Sequence, residues 1–194
     1  MKKWKIVALC TVLACLSIVA SGTLAYFTAQ ETAHNVITSG GVDIALIEKA
    51  DTGNGLADFE NVDGVMPGAE LSKIVTVENT GASDAWVRVS VTKSITLASG
   101  VQGTPDLSLV VLDINNKDWT EQGGFYYYNS ALKPGETTKP LFETVTFAPE
   151  MGNEYQGSEA NIDVKADAVQ VANNGKTVLD ALGWPDPDPK EDAA

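Results

Sequence analysis

An all-β fold, an antiparallel β-sandwich preceded by an N-terminal signal peptide helix, is what this chain predicts, and three observations predict it. Seven or eight runs of alternating or β-branched apolar residues are separated by turn signals. Helical periodicity is almost absent beyond residue 25. The chain also begins with Lys2, Lys3 and Lys5 ahead of an uncharged stretch of 22 residues from Ile6 to Phe27, the layout of an export signal.

The signal ends in Ser21-Gly22-Thr23-Leu24-Ala25-Tyr26-Phe27. Thr23 and Ala25 place small side chains where a signal peptidase must accommodate them, so cleavage is expected between Ala25 and Tyr26. The same stretch is long enough to span a bilayer, which takes about 20 apolar residues, but Ser21, Gly22 and Thr23 weaken it where an anchor should stay apolar. Membrane contact is therefore expected only through the uncleaved signal.

The strands follow in order. Val42, Ile44 and Leu46 alternate with Asp43 and Ala45 in a stretch running from Val36 to Ile47. Residues 50 to 64 carry Asp51, Gly53, Asn54, Gly55, Asp58, Glu60, Asp63 and Gly64, and read as an acidic, solvated loop. Met66-Pro67-Gly68 and Lys133-Pro134-Gly135-Glu136 are turns, with proline presetting the first corner. Ile74 to Glu78 is a strand. Trp86 to Thr92 is the clearest one, because Val87, Val89 and Val91 face one way and Trp86, Arg88, Ser90 and Thr92 the other.

Further strands are expected from Leu107 to Ile114, Gly124 to Asn129 and Glu143 to Phe147. The tyrosines at 126, 127 and 128 read as cross-strand packing rather than a binding platform. The last long strand, Asn161 to Val171, shifts its apolar parity at Val169, which predicts a bulge or a change of sheet. Val178 to Leu182 is expected to form a short helical turn. The end beyond Trp184, alternating proline with acid, is expected to be disordered. The organisation is thus signal peptide 1–25, one sandwich domain 26–184 and an acidic tail 185–194.

Composition narrows the function. The 169 residues left after cleavage are enough for one domain that buries about 70% of its unfolded surface. Losing three lysines leaves 10 basic residues against 26 acidic ones, a net charge near -16, which argues against nucleic acid as a partner. Cys10 and Cys15 both lie in the signal, so no disulfide holds the mature chain. One histidine, His34, excludes an H-E-x-x-H zinc helix, and no G-x-S-x-G, P-loop or G-x-G-x-x-G follows a strand. No catalytic residue, resident metal or cofactor is expected. Calcium at Asp51, Asp58 or Asp63 stays an open alternative, although the order of an EF-hand loop is missing.

Four stretches resemble the TasA and camelysin family of secreted Gram-positive matrix proteins, which use a signal peptidase of the SipW type. They are Gly22-Thr23-Leu24-Ala25-Tyr26-Phe27 with Asn35, Thr38 and Gly40; Met66-Pro67-Gly68 leading to Glu78-Asn79-Thr80-Gly81; Asn153-Glu154-Tyr155-Gln156-Gly157; and Ala168-Val169-Gln170. The resemblance implies a jelly-roll-like sandwich and a subunit of extracellular fibres that self-associates when the segment 26–37 of one copy adds as a strand to the next. Tyr26, Phe27, Val36 and Ile37 would be the anchors of that donor strand. β-augmentation satisfies the unpaired backbone groups of an incomplete sheet, which gives the mechanism a physical basis. Some camelysin-like relatives are described as metallopeptidases, and a surface metalloprotease or a monomeric adhesin are the alternatives.

Overall fold

The computed structural model describes residues 27–30, 36–38 and 42–186. Two short strands, β1 (Phe27–Gln30) and β2 (Val36–Thr38), come first. There follow β3 (Ile44–Asp51), β4 (Leu56–Asp58), β5 (Val62–Val65), β6 (Glu70–Ser72), β7 (Ile74–Asn79) and β8 (Ala85–Thr96). The second half adds β9 (Val110–Leu112), β10 (Trp119–Gln122), β11 (Phe125–Tyr128), β12 (Thr144–Phe147) and β13 (Ser158–Gln170).

One layer is the sheet β10-β11-β8-β13-β1-β5, with β2 also paired to β13. The other combines β4-β3-β7 with β6-β12-β9. Backbone bonds from Lys73 to Glu143, Val75 to Phe142 and Thr138 to Val77 tie these two small sheets together. Between the layers lies a core with Val75 and Val77 from one side, Val87, Val89 and Val164 from the other, and Val110, Val145 and Phe147 closing the end. Each valine so buried contributes about 1.5–3 kcal/mol relative to exposure.

The spine is β8 against β13. Their antiparallel register runs unbroken from Glu159 opposite Thr96 to Gln170 opposite Ala85. The alternation read from Trp86 to Thr92 is realised there, with Val87 and Val89 fully buried. The two proline-glycine turns close as expected, by Ala69 N–H to the Met66 carbonyl and Glu136 N–H to the Lys133 carbonyl. The tyrosine strand packs as expected: Tyr126 and Tyr128 line the main core and Tyr127 the opposite face of the sheet.

Two expectations are corrected. Residues 50 to 64 are more than a solvated loop, because β4 pairs back on β3 through Lys49–Asp58, Ala50–Ala57 and Asp51–Leu56, and β5 joins the large sheet. The parity shift at Val169 is neither a bulge nor a change of sheet. Ala166 and Ala168 face the main core while Val169 packs on the outer face against Trp86, under the C-terminal segment. A strand covered on both faces needs no kink to bury consecutive apolar residues. The antiparallel architecture stands as expected, and β1 and β2 join it by pairing in parallel with β13.

The expected helical turn is present as a 3-10 turn, Val178–Asp180. With Ala181 and Trp184 it forms a second small core over Trp86 and Val169.

Candidate functional site: the β13 edge and its surroundings

β13 offers two hydrogen-bonding edges. One is filled along its length by β8, and the other receives the N-terminal segment. Phe27 sits opposite Ser158, Ala29 opposite Ala160, Val36 opposite Ala166 and Ile37 opposite Asp167. β1 is enclosed on its far side by β5, with Phe27 paired to Val65 and Ala29 to Val62. The donor strand read from the sequence is thus paired within its own chain, lying in a slot between β13 and β5.

The slot has a chemical character. At the paired positions of β13 that face the core, the side chains are small and buried: Ser158, Ala160, Ala166 and Ala168. The larger Ile162 and Val164 occupy the stretch between. Small side chains leave room for the side chains of an adjacent strand, and the backbone ladder supplies the bonding. Of the predicted site residues, Phe27, Val36 and Ile37 are brought onto this edge. Ala25, Tyr26 and His34 lie outside the described residues.

The acidic positions do not converge. Asp58 Oδ1 is 2.6 Å from Lys49 Nζ, Asp51 Oδ1 accepts the Gly53 N–H, and Asp63 lies in β5. Among the described residues no group of three or more His, Cys, Asp or Glu side chains is arranged to hold a metal ion.

Perturbed titrating groups belong to structural contacts. Burial lowers the Lys93 amine, which donates to the Leu107 and Val110 carbonyls, while Asp106 opposes that shift. Hydrogen bonds from the Ser108 hydroxyl and N–H hold Asp106 below the ordinary carboxylate range as it caps the 3-10 turn Leu107–Leu109. Burial, then Glu121, raises the Tyr126 phenol.

Asn79 holds the stretch Asn79-Thr80-Gly81 together. Fully buried, its Nδ2 donates to the Ser83 and Leu132 carbonyls at 2.8 Å each, and its Oδ1 accepts the Gly81 N–H. Gly81 passes so close to Asp43 that a Cβ would lie 2.7 Å from the Asp43 nitrogen, so only glycine fits.

A family model described as camelysin metallo-endopeptidase matches residues 1–103. The chain belongs to that family. The match takes in the apolar N-terminal stretch, the β1–β5 region, the Asn79 turn and all of β8, and stops before the strand β13 that receives the N-terminal segment. No curated protein and no solved structure matches the chain.

The family's description implies a catalytic metal. A catalytic zinc takes three protein ligands drawn from His, Asp, Glu and Cys. This camelysin-family chain has one histidine and, past residue 15, no cysteine. Its described His, Cys, Asp and Glu side chains form no group of three or more that could hold a metal ion. The described residues do not fit such a site.

Two residue groups escaped the sequence reading. Lys73 and Glu48 form a buried pair, and the parity Lys73, Val75, Val77, Asn79 was the available sign that Lys73 faces inward. Arg88, Phe125 and Trp184 form the other, signalled only by an isolated tryptophan ahead of the acidic tail.

Proposed function

We propose that this camelysin-family protein is a secreted structural subunit of extracellular-matrix or cell-surface fibres, assembling by N-terminal strand donation once signal cleavage frees Tyr26. The observation that carries the reading is the pairing of β1 and β2 in the slot beside β13. A slot that takes the segment from its own chain has the backbone register to take the same segment from another copy. Because donor and acceptor are different surfaces, that contact is head-to-tail and propagates into an open filament instead of closing on itself.

The excess of acid fits an exported subunit that stays soluble until paired. The export signal calls for a signal peptidase of the SipW type, and the assembly needs no cofactor. Before cleavage, the segment is tethered to the membrane and donation is blocked. Electron microscopy of purified protein beginning at Tyr26 should show filaments, and deletion of 26–37 should leave monomers. Monomers of the whole mature chain at all calcium concentrations and pH values would refute the reading.

The family's description favours a second reading, a metal-dependent surface endopeptidase. Casein hydrolysis abolished both by a chelator and by His34→Ala would support it. Hydrolysis untouched by either would remove it.

A further inference from the structure

We propose that Asn174 is a site of self-catalysed deamidation, and that its conversion to an acid irreversibly releases the C-terminal segment from the outer face of the large sheet. The segment 174–185 is a latch. Trp86 Nε1 donates to the Asn174 carbonyl at 2.9 Å, and Val178 and Ala181 are buried against Trp86 and Val169. Trp184 stacks edge-on to Tyr127, and Arg88 donates from Nη2 to the Pro185 carbonyl.

Asn174 is the polar hub of this latch. Its Nδ2 donates to the Leu182 carbonyl at 2.9 Å and its Oδ1 accepts the Leu182 N–H at 2.8 Å, so the side chain imitates a paired strand. Its backbone N–H donates to Val171. The next residue has to be glycine: Gly175 has φ +71, and a Cβ there would lie 2.9 Å from the Ala181 nitrogen. The fold thus requires asparagine followed by glycine, the pair in which no side chain shields the asparagine from attack by the following amide. That Gly175 N–H makes no hydrogen bond among the described residues.

The chemistry needs only water. The Gly175 nitrogen bonds to Asn174 Cγ, the Cγ–Nδ2 bond breaks, and Nδ2 leaves as ammonia with the proton given up by the Gly175 nitrogen. Water then opens the five-membered imide, its hydroxyl going to one carbonyl carbon and its proton to the Gly175 nitrogen, leaving aspartate or isoaspartate. While Leu182 holds the side chain, Cγ is kept from that nitrogen, so the reaction proceeds only from the opened latch. Afterwards a carboxylate faces the Leu182 carbonyl with no proton to donate, and reclosure is opposed. A reversible opening becomes a one-way step.

The test uses the whole mature chain, aged at mildly alkaline pH and followed by peptide mapping and hydrogen exchange. Asn54-Gly55, in the exposed turn after β3, is the internal reference. Asn54 should convert first and Asn174 more slowly. In converted molecules, and in Asn174→Asp from the outset, the amides from Val178 to Trp184 should exchange about tenfold faster or more, while β8 and β13 keep their protection. No detectable conversion of Asn174 over many times the period that fully converts Asn54 would overturn the proposal. So would conversion with the latch amides still protected. If Asn174→Asp fails to fold, the aged natural chain alone decides between these outcomes.

Discussion

Lys73 Nζ lies 2.8 Å from Glu48 Oε2 inside the sandwich, both side chains at most 4% exposed, with the Phe59 ring 3.9 Å from the ammonium. Two charges withdrawn from water attract strongly, but desolvation cancels much of the gain. The sum is fragile to removal of one member and tolerant of removal of both. Lys73→Met, which leaves a buried carboxylate facing a thioether, should lower unfolding free energy by about 3–5 kcal/mol. Lys73→Met combined with Glu48→Leu should recover most of that loss. Denaturant unfolding of the four proteins in the cycle measures both, and a double variant no better than the single would refute this account.

Arg88 ties three elements together. Its Nε donates to Asp167 Oδ2 at 2.8 Å, and its guanidinium carbon lies 3.8 Å from the Phe125 ring centre and 4.9 Å from that of Trp184. A planar fork can donate sideways while its face stacks, and an ammonium cannot. Arg88→Lys should therefore loosen the C-terminal segment by about 1–3 kcal/mol while the main core holds. Red-shifted tryptophan fluorescence, with β8 amides still protected, is the expected pattern. Unchanged fluorescence would show that Trp184 docks without the arginine.

The parts of this fold legible in the sequence are those governed by one strand and its period. Val87 and Val89 announce a buried face through alternation alone, and Pro67-Gly68 and Pro134-Gly135 announce their turns through backbone preference. What alternation cannot convey is which elements cover a face. Val169 looked out of step because the covering layer comes from residues 178–184, beyond the strand itself. Residues 56–58, Leu-Ala-Asp, hold no β-branched or aromatic residue to signal a strand, and pair only because β3 extends beside them. At the candidate site, the apolar positions Phe27, Val36 and Ile37 could be marked in advance. Their partner strand, more than a hundred residues away, and the parallel direction of pairing could not.

Tyr126 makes alkaline stability a probe of the main core. Burial, and then the nearby Glu121 carboxylate, raise its phenol above the ordinary tyrosine value of about 10. Below that value the phenol is protonated in both states and titration is neutral. Above it the unfolded chain ionises first, so stability should fall as pH rises from about 10 through the folded value. Spectrophotometric titration should find one tyrosine ionising late. Tyr126→Phe should flatten the decline in unfolding free energy over that window, and a decline of equal slope in the variant would assign it elsewhere.

Asn79 sets a sharper test, because its amide is used at both ends where no water reaches. Two carbonyls, Ser83 and Leu132, depend on Nδ2, while the Gly81 N–H depends on Oδ1. Asn79→Ala leaves these three backbone groups to find other partners, at about 1–3 kcal/mol for each that fails. Asn79→Asp keeps shape and volume but turns a carboxylate oxygen towards two carbonyl oxygens, so it should destabilise more than alanine at neutral pH. Acidification, by protonating that carboxylate, should narrow the gap. Thermal unfolding of both variants at neutral and acid pH reads the order, and an aspartate variant more stable than the alanine variant at neutral pH would mean that the turn is held by space filling and not by the amide.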